Sequence, residues 1–122
     1  MAQESFSETV ANAAKAAQIL LQAMAVSKVR DIANKCSNFK IGKTGESIEE
    51  RYNQSDYKNK YKNILSVYSS EYPALVDDME SYLIREFIFN PKCDNRKDGF
   101  TSHSDPMRDG AEKYFVYVVW NN

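Results

Sequence analysis

Among the charged side chains of this 122-residue sequence, the guanidinium of Arg51 and the carboxylate of Glu80 have settings that the pattern of their neighbours defines. A guanidinium forks bidentately onto a phosphate and stabilises negative charge as it develops there. A single carboxylate with waters suffices to hold Mg²⁺, which activates water and shields a leaving oxygen. Ser47-Ile48-Glu49-Glu50 reads as a capping box, so Arg51 falls in the first turns of a helix. Glu80 lies one turn after Val76 and one turn before Ile84, at an apolar boundary where a carboxylate is partly desolvated. Each has a plainer reading: Arg51 as a surface cation paired with Glu46 or Asp56, and Glu80 as a rim carboxylate near Arg85.

The surroundings of Arg51 are cationic. The net charge is −1, but residues 28–63 carry nine basic against five acidic residues, and 64–91 carry one against five. Lys40, Lys43, Lys58, Lys60 and Lys62 fall in the basic block, with Tyr57 and Tyr61 interleaved. Screening limits an anion's response to charges within about 10 Å, so a local patch of this kind binds phosphate on a slightly acidic chain. Simple solvation of a surface helix is the alternative.

Other chemistries find less support. Gly42-Lys43-Thr44 resembles the end of a phosphate-binding P-loop, but the glycine needed five residues earlier is Ser37. Cys36 and Cys93 have no Cys or His at metal-ligand spacing, which points to reduced structural thiols. His103 sits in a loop rich in Ser, Thr and Asp and is expected at the surface, a weak candidate base. Asn95 has the simpler reading of a turn former.

The elements that position these residues follow from pattern. From Ser5 to about Lys35 there is no Gly or Pro, and Phe6, Val10, Ala13, Ala17, Leu20 and Met24 recur in steps of four and three. This predicts a long helix with a narrow apolar seam that packs on the domain or pairs with a second copy. Residues 38–45 predict a short strand bounded by Gly42 and Gly45, and residues 63–69 predict a second. Pro73 opens a helix whose apolar face is Leu75, Val76, Met79, Leu83, Ile84 and Phe87. Residues 90–110 predict a long surface loop. Residues 114–120 are all aromatic or β-branched without alternation, the mark of an inner strand buried on both faces. The expected fold is α+β: a three- to four-stranded, mainly antiparallel sheet flanked by helices, with a helical arm over 1–36 and an α/β domain over 37–122.

The run Phe39-Lys40-Ile41-Gly42-Lys43-Thr44, then Arg51, Met79-Glu80 to Phe87, Asn95 and Gly110 to Phe115 resembles the GIY-YIG nuclease superfamily. The likeness is to the phage-associated branch in which a K-I-G-x-T strand replaces the tyrosine motif, and it spans about two thirds of the chain. It implies hydrolysis of DNA phosphodiesters with one divalent metal ion, Arg51 holding the scissile phosphate, Glu80 binding Mg²⁺, and Asn95 as the later catalytic asparagine. The family places one tyrosine on its first strand and another directly before the Ile-Gly pair. Here Lys40 precedes Ile41-Gly42, so a phenol would come from Tyr52, Tyr57, Tyr61 or Tyr117, and the strand at 114–120 would take the sheet position of the family's first strand. The functional expectation is therefore a metal-dependent endonuclease-like domain that binds nucleic acid through Lys40, Lys43, Arg51, Lys58, Lys60 and Lys62. The alternative is a catalytically reduced nucleic-acid- or protein-binding, inhibitory module on the same fold. A homodimer through residues 5–35, no membrane span and a cytoplasmic setting complete the expectations.

Overall fold

The computed structural model describes residues 6–54, 57–96, 107 and 110–122. The order is α1 (Phe6–Lys35), β1 (Asn38–Thr44), α2 (Ile48–Gln54), α3 (Tyr57–Lys60), β2 (Asn63–Ser70), α4 (Pro73–Phe87), a 3₁₀ turn (Asp94–Arg96) and β3 (Tyr114–Asn121). The strands form one antiparallel sheet in the order β1-β3-β2, a small α+β fold as the patterning predicts.

The last strand in sequence is the central strand of the sheet. Its unbroken apolar run follows from that position, because helices cover both faces. Val116 and Val118 enter a core shared with Phe39, Ile41, Val67, α1 and α4. Tyr117 and Val119, pointing the other way, pack with Tyr61, Ile48, Tyr57 and Ile64 from α2, α3 and β2. Successive strand side chains alternate between faces, so one strand supplies both cores. In β2 the register slips between Ser66 and Tyr68, and Val67 turns into the larger core.

Helix α1 has two environments. Ala25, Val26, Val29 and Ala33 are buried in the main core, whereas most of residues 7–24 are exposed. The projecting part of the arm therefore stops near residue 24. At α4, Pro73 fills the first turn, where its missing N–H costs nothing, and Val76, Met79, Leu83 and Phe87 face the sheet. Leu75, assigned to that face by spacing, is exposed.

The expected surface loop after residue 90 begins with a buried segment. Phe39 N–H donates to Lys92 C=O at 2.9 Å, Phe39 bridges Cys93 in parallel, and Asp94 and Asn95 are buried. This segment covers the outer edge of β1, whose backbone groups would otherwise lack partners. Cys36 and Cys93 are both free and buried, and burial raises both thiol pKa values. No helix among the described residues is long and apolar enough to cross a membrane.

Candidate nucleic-acid interface

The site is built on a contact between neighbouring strands. Gly42 of β1 stands opposite Tyr117 of β3, and the tyrosine ring lies across the glycine. A Cβ at position 42 would sit 2.5 Å from both Cζ and the hydroxyl oxygen of Tyr117. Gly42 thus does not end the strand, which continues to Thr44. It makes room for a ring. The only described glycine at positive φ is Gly110, so Gly42 is required for space and not for backbone freedom.

Laid across Gly42, the Tyr117 ring aims its hydroxyl at α2. The Nε–H of Arg51 donates to that oxygen at 3.2 Å. The start of α2 is fixed as the capping pattern predicts, with Glu50 N–H donating to Ser47 Oγ at 3.1 Å. Tyr57 adds a ring beneath two cations: Arg51 Cζ lies 5.4 Å and Lys40 Nζ 5.8 Å from its centroid. Its own ring meets Tyr61 and Tyr117 edge to face, each at 5.9 Å. Tyr61 is held in turn by its hydroxyl, which donates to buried Asp94 at 2.7 Å, and Asn38 donates to the same carboxylate oxygen at 2.6 Å.

The electrostatics keep this cluster cationic. Burial works against the Arg51 charge, but the Tyr117 hydrogen bond and the nearby Tyr57 phenol outweigh it and the pKa rises. Burial, with Tyr57 beside it, raises the Tyr117 pKa far above its ordinary value, despite the opposing Arg51 charge. At neutral pH the pair is therefore a guanidinium and an un-ionised phenol. Tyr117 orients the guanidinium through this hydrogen bond.

Glu80 approaches β1 from the other side of the sheet. Phe39, Ile41 and Lys43 share the face toward α4, and Lys40, Gly42 and Thr44 share the face toward Tyr117. Lys43 therefore does not join the cationic surface expected for it: it is ion-paired with Asp77 on α4, with its Nζ 4.0 Å from Glu80 Oε1. Burial raises the Glu80 pKa to about 7, opposed by Lys43 and Lys40 and reinforced by Asp77. The desolvation expected from its position in the helix is present. Lys40, whose ammonium lies over Tyr57 on the opposite face, makes the smallest of these contributions at Glu80.

The arrangement does not fit Mg²⁺ at Glu80. The Lys43 ammonium already occupies the space between the two carboxylates of α4, so a cation held by Glu80 would have to displace it. A carboxyl whose folded pKa exceeds its unfolded value makes the native state bind more protons between the two. Stability conferred in the neutral form is present below about 4.5 and declines as pH rises toward about 7. Glu80→Gln is expected to abolish this decline, matching the parent near pH 4.5 and exceeding it above pH 7 in urea denaturation. Parallel pH profiles for the two proteins would contradict it.

Asn95 is committed to the backbone of β1. Its Oδ1 accepts from Ile41 N–H at 2.8 Å and its Nδ2 donates to Ile41 C=O at 2.9 Å, so it positions the strand. Lys58, Lys60 and Lys62 are exposed on or next to α3, on the Tyr57 side of the sheet. His103 lies outside the described residues. Asp94 and Asp77, which anchor Tyr61 and Lys43, gave no signal in the sequence beyond their charge. Comparison with known proteins finds no family model, no curated protein and no solved structure that matches the chain.

Proposed function

We propose that this chain binds nucleic acid by its phosphates at the Arg51, Lys40, Tyr57 and Tyr117 face. The supporting observation is the convergence of two cations on one tyrosine ring, with the guanidinium pinned at Nε by a second phenol. Holding Arg51 at Nε fixes the plane of its fork before a ligand arrives, which lowers the ordering cost of a bidentate phosphate bond. Lys58, Lys60 and Lys62 extend the positive field along the same side. Tyr117 takes the part that the GIY-YIG resemblance gives to a tyrosine on the first strand, and Tyr57 supplies the second phenol.

Titration of a fluorescent DNA oligonucleotide at several salt concentrations tests this reading. Affinity should fall steeply with salt, and Arg51→Ala should weaken binding roughly tenfold and reduce the slope of log K against log salt by about one. Lys43→Ala should leave the slope unchanged. Salt-insensitive binding, or equal affinity of Arg51→Ala and parent, would overturn the proposal.

Cleavage is the second reading and is carried by the family resemblance alone, since Glu80 lies on the α4 side of the sheet and Arg51 on the Tyr117 side. It requires Lys43 to give way at Glu80. Plasmid nicking in Mg²⁺ but not in EDTA, lost in Glu80→Gln with DNA affinity intact, would favour a nuclease over a binding module.

A further inference from the structure

We infer that the projecting half of α1 pairs with a second copy of this chain in an antiparallel, two-helix coil centred on Lys15. The seam positions 6, 10, 13, 17, 20 and 24 are symmetric about residue 15. In an antiparallel pair centred there, Val10 faces the other copy's Leu20, Ala13 faces its Ala17, and position 24 faces position 6. Small residues meet in the middle and larger ones toward the ends. The steps of four and three put one heptad a position against one d position in every layer, the pairing that antiparallel coils adopt.

The seam is unused by its own domain. Val10 is 51%, Leu20 62% and Met24 49% exposed. At roughly 100° per residue the seam lies about 140° round the helix from Ala25, Val29 and Ala33, which dock on the sheet. It ends where the helix reaches the body, since the next two positions are Ser27 and Asp31. Ile19 is exposed but lies off the seam.

The charges agree with this pairing. Between residues 6 and 24 only Glu8 and Lys15 are charged, and both project from the side of the helix opposite the seam. The flanking positions are Ser7, Thr9, Ala14, Ala16, Leu21 and Ala23, mostly small residues that let the helix axes approach closely and carry no charge to repel a second copy. At Met24 the seam adjoins a groove of about 300 Å³ between α1 and β2, lined by Leu21, Met24, Lys28 and Val67. The other copy's helix would begin there. Six layers bury on the order of 1,000 Å² in total, near the floor for a specific interface, so assembly is expected in the micromolar range.

Sedimentation velocity on the full chain tests the inference, with circular dichroism to verify helix content. The parent should shift from monomer to dimer as concentration rises through the micromolar range. Val10→Glu alone and Leu20→Lys alone should each remain monomeric. Val10→Glu combined with Leu20→Lys should dimerise again, because each new carboxylate then faces a new ammonium across the antiparallel pair. In a parallel pair the same double variant sets like charges opposite one another. A parent that stays monomeric, a dimer that survives Val10→Glu, or a double variant that fails to reassociate would each overturn the proposal.

Discussion

Replacing Asn95 with leucine is expected to lower the unfolding free energy by about 2–5 kcal/mol, the largest single effect foreseen for a side chain that does not belong to either apolar core. The amide of Asn95 behaves toward β1 as a peptide group of another strand would, accepting from Ile41 N–H and donating to Ile41 C=O. Ile41 stands opposite Val118 of β3 but turns its N–H and C=O to the outer edge of the sheet, so these groups depend on Asn95. Leucine has about the same size but no polar atoms, and it leaves two buried backbone groups without bonds, each worth about 1–3 kcal/mol when unmade. Asn95→Asp separates the two contributions: a carboxylate still accepts from Ile41 N–H but repels the carbonyl. Its loss should be intermediate near neutral pH and smaller in acid, where the protonated carboxyl donates. Urea denaturation of the three proteins at two pH values is the measurement. A loss below about 1 kcal/mol for Asn95→Leu would mean that water, and not Asn95, satisfies the edge.

The sequence states some of this arrangement and hides the rest for identifiable reasons. The central position of β3 is legible because a strand covered on both faces loses its alternation, and residues 114–120 have none. The burial of Glu80 is legible from its place between Val76 and Ile84 on one helix. The placement of Lys43 was legible too, since period two puts it on the same face as Phe39 and Ile41, against the grouping of all nearby lysines into one patch. Gly42 is different. Its need for a missing side chain arises from Tyr117, 75 residues away, and only the β1–β3 register brings the two together. Asn95 likewise reads locally as a turn former, because the strand edge it completes lies 54 residues back in the chain.

Gly42→Ala is expected to cost about 1–3 kcal/mol of stability and, separately, roughly tenfold in nucleic-acid affinity. A single methyl group at this position falls within 2.5 Å of the Tyr117 ring and hydroxyl, closer than any Cβ is tolerated. The strand cannot retreat, because Ile41 on one side is bonded to Asn95 and the whole of β1 is laddered to β3. The ring must therefore swing away, taking its hydroxyl from Arg51 Nε and disturbing the edge-to-face contact with Tyr57. Arg51 then loses its fixed plane and binds phosphate as a mobile cation. Tyr117→Phe provides the control: it removes the same hydrogen bond without crowding the glycine, so it should lose affinity with less loss of stability. The combination Gly42→Ala with Tyr117→Ala should recover part of the stability, since the truncated side chain vacates the space, while leaving affinity low. Thermal denaturation and oligonucleotide titration of the four proteins separate the packing effect from the binding effect. Full affinity in Gly42→Ala would show that the Tyr117 hydroxyl does not set the guanidinium, and would move the phosphate site away from the sheet, toward the exposed lysines of α3.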